Sequence, residues 1–130
     1  MSNTPVKGIF TPNVVPFHEN YRINESELRR YVNWLIEKGV TGLYPNGSTG
    51  EFIRLSFEER IRVVEIIADE TNGRVPIPAG ATEPNIPIVL EARKCYSDLG
   101  CRAVSVTGLY YFKVSQHSIE RYFRKLAAKR

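Results

Sequence analysis

The sequence predicts an α/β protein of four consecutive βα units, and three observations carry that reading. Gly39, Gly73 and Gly100 each close a stretch with helical apolar spacing, and four residues after each comes an apolar strand core: Leu43, Ile77 and Val104. Glycine suits the left-handed position just past a helix end. The strand cores recur about 30 residues apart, the length of a βαβ unit. Capping signals stand at the helix starts, with Asn24 before Glu27 and Ser56 before Glu59, each placing a carboxylate three residues past a capping side chain. Alternating strands and helices of this length imply a parallel sheet covered by helices.

Each element follows from its residues. The first strand is expected in 6–15, VKGIFTPNVV, rich in β-branched residues and followed by the turn-like Pro16 to Tyr21. Leu28, Tyr31, Val32 and Leu35 give the first helix its apolar stripe. Gly42, Leu43 and Tyr44 form a short second strand. Behind Ser56 comes a second helix with Ile61, Val64, Ile67 and Ala68 as its buried face, stopped by Asn72-Gly73. The third strand is expected in 75–80. Pro84 and Pro87 open a third helix carrying Val89, Ala92, Tyr96 and Leu99. The fourth strand is expected in 103–107, and the fourth helix, starting near Ser115, is expected to bury Ile119, Phe123 and Leu126.

With 130 residues, 42% hydrophobic and 25% charged, the chain suits one domain, and no low-complexity linker divides it. The net charge of +4 is spread along the chain except for the tail, where Arg121, Arg124, Lys125, Lys129 and Arg130 share one helix and complement its dipole. That distribution speaks against nucleic acid as a partner. No apolar run approaches the roughly 20 residues of a membrane span, and MSNTPVKGIF lacks the apolar core of a secretory leader. Cys95 and Cys101 have no matching Cys/His set, so no metal site is expected. A reduced, cytoplasmic setting fits that cysteine usage.

The chemistry concentrates in Asn46-Gly47-Ser48-Thr49-Gly50-Glu51, directly after the second strand. Two glycines bracketing two hydroxyls expose N–H and O–H donors in a tight turn, an arrangement suited to an anion. Glu51 is read as serving the loop's own N–H groups and the following helix, and His18 and His117 as surface residues. A doubly wound sheet of flavodoxin type competes with part of a (β/α)₈ barrel. Flavodoxin-type phosphate loops follow the first strand, whereas this loop follows the second and ends in Glu51-Phe52 with no further hydroxyl. A flavodoxin-like anion-binding domain is therefore the lesser alternative.

GLYPNGSTGEF at 42–52, with Glu59 seven positions on, resembles the first signature of the dihydrodipicolinate synthase/N-acetylneuraminate lyase family. Val14-Val15-Pro16-Phe17 resembles the end of that family's first strand, with Val15 where threonine is common. The segment from Val106 to Gln116 resembles its tyrosine-bearing loop after the fourth strand. The resemblance implies the first half of a TIM (β/α)₈ barrel over 1–130. It implies a lyase or aldolase that forms a Schiff base with a small 2-oxo acid such as pyruvate and uses no separate cofactor. Gly47, Ser48, Thr49 and Gly50 match the substrate carboxylate loop. Ser48 and Tyr111 match a proton relay, Tyr111 reaching across an interface between copies, and Tyr110 is structural or interfacial. The family's Schiff-base lysine and its partner tyrosine belong to later strands. Among Lys7, Lys38, Lys94, Lys113, Lys125 and Lys129 none matches that lysine, so these residues alone are not expected to turn over substrate. A homo-oligomer or a complementary half-barrel is the implied partner. The side chains Val14, Leu43, Ile77 and Val104 are expected to face strands five to eight. A non-catalytic oligomeric half-barrel or ligand-binding fragment is the main alternative.

Overall fold

The computed structural model describes residues 6–129. The reading of the leader at Met1–Pro5 and of the charge at Arg130 therefore lies outside the described residues. Four short strands alternate with four α-helices: β1 (Phe10–Pro12), α1 (Glu25–Glu37), β2 (Gly42–Tyr44), α2 (Phe57–Thr71), β3 (Pro78–Gly80), α3 (Ile86–Asp98), β4 (Ala103–Ser105) and α4 (Gln116–Ala128). Two one-turn 3₁₀ helices, Ser48–Gly50 and Phe52–Arg54, lie between β2 and α2.

The helix boundaries arise from the local chemistry expected of them. Asn24 accepts from the Glu27 N–H, and Ser56 and Glu59 form a complete reciprocal box. Ser115 caps α4 by accepting from Ser118. Asn85 precedes α3 without a side-chain cap, and Pro87 sits in the first turn, where its missing N–H costs nothing. Gly39, Gly73 and Gly100 lie at φ of 85°, 73° and 82°, the left-handed backbone that ends each helix.

Among the described residues both pairings between named strands are parallel, and one isolated antiparallel bridge joins Phe17 to Ile23. Phe10, Thr11 and Pro12 stand beside Gly42, Leu43 and Tyr44, and Pro78, Ala79 and Gly80 stand beside Ala103, Val104 and Ser105. Leu43 N–H donates to the Pro76 carbonyl at 3.1 Å and Gly80 N–H to that of Pro45 at 2.9 Å, which joins β2 to β3. The strands thus follow one another 1-2-3-4. A flavodoxin-type order would put β1 beside β3, a pairing not found among the described residues, so that alternative falls.

Each strand is three residues long: β1, β3 and β4 are shorter than the segments expected to form them, and β2 is the short strand expected at Gly42–Tyr44. Their facing also corrects one expectation. Tyr44 Oη donates to Ser105 Oγ at 3.1 Å, so these two residues share a face of the sheet. Alternation along a strand turns Leu43 and Val104 to the other face. There Leu43 and Ile77 are buried, and Val104 half-buried, in the core cluster formed with the helices through Leu28, Val32, Val64 and Ile67. Of the four side chains assigned to the open face, only Val14 is exposed, at 46%. A second correction concerns α4, where Tyr122 is the buried residue and Phe123 lies at the surface. In α2 the buried face is Val63, Val64, Ile66, Ile67 and Thr71, with Ile61 and Ala68 only half-buried beside it.

Candidate functional site

The loops leaving β2, β3 and β4 converge at one end of the sheet, the end at which parallel α/β sheets place their ligands. After β2 the chain turns at Asn46, at a positive φ of 56°, and its side chain anchors the turn from below. Asn46 Nδ2 donates to the Arg60 carbonyl at 2.9 Å and to Tyr96 Oη at 3.0 Å, and both Asn46 and Tyr96 are buried. Burial pushes the Tyr96 phenol up to about 12, so it stays a neutral partner.

Two glycines are demanded by contact. A Cβ at Gly47 would lie 2.8 Å from the Tyr44 ring, and one at Gly50 would lie 2.6 Å from the Asn13 carbonyl oxygen. The loop therefore lies flat on β1 and β2, presenting Ser48 and Thr49 outward. Both are exposed, and neither their hydroxyls nor their own N–H groups have a partner among the described residues. Gly50 N–H and Glu51 N–H, in contrast, are taken by the Gly47 and Ser48 carbonyls at 3.1 and 3.0 Å. Glu51 leaves the turn at a φ of 51° and pairs with Arg54 at 2.6 Å on the exposed rim. Two unpaired amides and two unpaired hydroxyls in succession make a donor set for a carboxylate, the charge-assisted kind of hydrogen bond.

Gly47 and Ser48 also border a cavity of about 410 Å³ with Tyr44, Phe52, Thr82, Thr107 and Tyr110. Its walls are unlike one another. Phe52 and Tyr110 meet edge to face at 5.8 Å and give an aromatic side, while Thr82 and Thr107 give a hydroxyl side. Thr82 Oγ1 accepts from the Thr107 N–H at 3.0 Å and from its hydroxyl at 3.3 Å. Burial raises the Tyr110 phenol above its ordinary range, and the Glu83 carboxylate adds to the shift while Arg60 opposes it.

Of the residues singled out in the sequence, Gly47, Ser48 and Tyr110 come together at this cavity. Thr49 and Gly50 belong to the same turn without lining it. Tyr111 stands apart: at a φ of 74° its ring points outward, 88% exposed, edge-on to Phe112 at 4.7 Å. His18 and His117 are exposed, as expected. Sequence reasoning missed Thr82, Thr107 and the Arg60–Glu83 pair. Asn46 was singled out as part of the donor turn, but not for its bonds to Arg60 and Tyr96. Among the described residues no cluster of His, Cys, Asp and Glu has the makings of a metal site. No helix there is long and apolar enough to cross a membrane. Burial pushes the Cys101 thiol up to about 12, leaving it unreactive.

Fold and site together define a parallel α/β protein with a donor-rich loop after its second strand. The family model of the dihydrodipicolinate synthetase family matches residues 5–130, and the chain belongs to that family. It is 37% identical over 121 residues to the 4-hydroxy-tetrahydrodipicolinate synthase of Pelobacter propionicus, an alignment covering 93% of this chain and 41% of that protein. Its fold is similar to that of CdNal from Clostridium difficile, solved with mannosamine (TM-score 0.90, 33% identity, 96% of this chain and 43% of that one). It is similar also to YagE of E. coli K12, a dihydrodipicolinic acid synthase family protein solved with pyruvate (TM-score 0.86, 30% identity, 93% and 41%). The chain thus spans about two fifths of the length of these relatives.

Proposed function

We propose that residues 1–130 form the first half of a (β/α)₈ barrel from a pyruvate-dependent lyase or aldolase, and that Gly47–Gly50 holds the carboxylate of a small 2-oxo acid. The observation that carries this reading is the pair of unpartnered amides and hydroxyls at Ser48 and Thr49, at the ligand-binding end of the sheet. The pyruvate bound to YagE, a relative of the same fold, supports the substrate class. Carbon–carbon chemistry on a 2-oxo acid through a Schiff base needs a desolvated amine. By family resemblance that lysine stands on a later strand, so these residues supply substrate binding and part of the proton path, and a complementary half-barrel supplies the nucleophile. In this reading Ser48 passes a proton beside the substrate, the role its position in the family signature implies. The outward, left-handed Tyr111 fits a side chain that completes the relay in a neighbouring copy.

Hydrogen-exchange mass spectrometry of the 130-residue chain with and without pyruvate tests the loop. Slower exchange at Ser48 and Thr49 under millimolar pyruvate is expected, abolished by Thr49→Val. Borohydride should trap no pyruvate adduct on these residues alone. Unchanged exchange at both amides would sink the carboxylate assignment. A second reading, a non-catalytic assembling half-barrel, rests on the apolar side chains Ile9 and Val14 flanking β1 being 79% and 46% exposed. Self-association in the ultracentrifuge with no effect of pyruvate on exchange would favour it.

A further inference from the structure

Behind the hydroxyl wall of the cavity lies an ion pair that the carboxylate loop does not use. Arg60 of α2 and Glu83, just past β3, meet at 3.2 Å with side chains only 14% and 18% exposed. The other guanidinium nitrogen donates to the Thr82 carbonyl at 3.4 Å, and the Arg60 backbone carbonyl accepts from Asn46 Nδ2. Glu83 is held from the far side too, its carbonyl accepting from Tyr122 Oη of α4 at 2.5 Å. Thr82 therefore sits between two anchored neighbours, and it is 3% exposed. Its hydroxyl is the acceptor for the Thr107 N–H, the first bond made by the chain after β4 as it sets out toward Tyr110 and Tyr111.

We infer that the Arg60–Glu83 pair is a positioning device: by fixing the Thr82–Glu83 segment it sets the Thr82 hydroxyl, and through the Thr82–Thr107 bond it fixes the root of the loop that carries Tyr110 and Tyr111. Three features favour this over a purely stabilising role. The pair is incompletely hydrogen-bonded, since Arg60 Nε is buried without a hydrogen-bond partner among the described residues. A shielded pair with an orphaned donor is weak evidence for stability, whereas its geometry is specific. Outside its own helix, and among the described residues, Arg60 bonds only to Asn46, Thr82 and Glu83, loop residues around the cavity, and to none of the apolar core. Beyond the edge contact of Tyr110 with Phe52, the tyrosine loop has few attachments, because Tyr111 and Phe112 are exposed and touch each other. The inference gives the Tyr111 role proposed above a mechanical origin and rests on that reading for its functional meaning, though not for its test.

Native-state hydrogen exchange of the 130-residue chain without ligand decides it. In Arg60→Gln the Thr107 amide should exchange about tenfold faster, the scale of losing one net hydrogen bond, while Leu28 and Val32 in α1 keep their protection. Thr82→Val should reproduce that acceleration with the ion pair intact, and the double variant should add nothing further. If Arg60→Gln does not fold, Glu83→Gln takes its place with the same expectation. Thr107 exchange unchanged in the charge variant would overturn the inference, as would equal acceleration at Leu28 and Val32, which would mark a global stabiliser. Exchange at Ser48 and Thr49 with pyruvate is a separate readout, so failure of the carboxylate assignment leaves this result standing and the reverse holds as well.

Discussion

The α1–α2 side of the molecule and the β4–α4 side are held by different physics. Leu28, Val32, Leu43, Val63, Val64, Ile66 and Ile67 are all essentially inaccessible to water, and they form one continuous apolar contact between β2, α1 and α2. α4 buries Tyr122 alone, and that side chain carries a hydroxyl tied to the Glu83 carbonyl. Beyond it, among the described residues, only half-buried Val104, Val106 and Leu126 reach the core from this side, and polar bonds add to them: the Thr82–Thr107 bond and the Arg60–Glu83 pair. Apolar burial is non-directional and cooperative, so it makes a rigid platform. Hydrogen bonds fix direction for little net free energy. The platform carries the carboxylate loop, and the tethered side carries the tyrosines.

The sharpest way to break this contrast is to truncate one side chain on each side. Ile67→Ala removes a fully buried side chain from the platform and should cost about 2–5 kcal/mol, a large share of a small domain's stability. Phe123→Ala, on the outer face of α4 at 37% exposure, should cost about 1 kcal/mol or less, chiefly its edge contact with Tyr122. Urea unfolding monitored by circular dichroism measures both. Equal losses would mean that α4 is as fully packed as α2 and that the contrast is false.

The same contrast explains what could be read from the chain and what could not. Helix ends were legible because caps are local: Asn24, Ser56, Gly39, Gly73 and Gly100 act within a few residues of themselves. The carboxylate loop was legible because its glycines and hydroxyls are contiguous. Strand facing was not. In three-residue strands an apolar core residue gives no alternation to count, so Leu43 and Ile77 read equally well for either face. In α4 Tyr122 and Phe123 lie about 100° apart on the helix, and an apolar stripe can be drawn through either; Tyr122 is the one with a partner far along the chain, the Glu83 carbonyl. Arg60, the Thr82-Glu83 pair and Thr107 lie far apart in the sequence and become a unit only when α2 meets the loops after β3 and β4.

A smaller effect sharpens the picture on the tethered side. Tyr122→Phe keeps the ring and deletes only the hydroxyl that donates to Glu83. A net loss of about 0.5–1.5 kcal/mol is expected, confined to α4 and the residues around Glu83. Hydrogen exchange should show α4 amides opening while α1 and α2 are unchanged. Loss of protection throughout would place Tyr122 in the apolar platform after all.

The smallest expected effect lies on the platform's own surface, where charge adds to what packing already secures. Arg29 bridges Glu25, Asp69 and Glu70, and Arg62 bridges Glu25 and Glu65, lacing α1 to α2. The Asn33 amide and then Arg29 hold the Glu70 carboxyl below its ordinary range, and Arg29 followed by Arg62 does the same for Glu25. A carboxylate whose folded value is depressed contributes stability above its unfolded value, and that contribution is lost as pH falls through the folded one. The urea midpoint should therefore decline as pH drops below about 4.5, the ordinary value of both groups. Because these groups are partly solvated, each contributes little at neutral pH, so Glu70→Gln should lower the midpoint slightly at pH 7 and flatten the acid slope by the same small amount. High salt should flatten it in the same way, since exposed charges are screened. A midpoint that is as steep with pH in Glu70→Gln as in the parent chain would show that acid acts elsewhere, and that apolar contact alone joins α1 to α2.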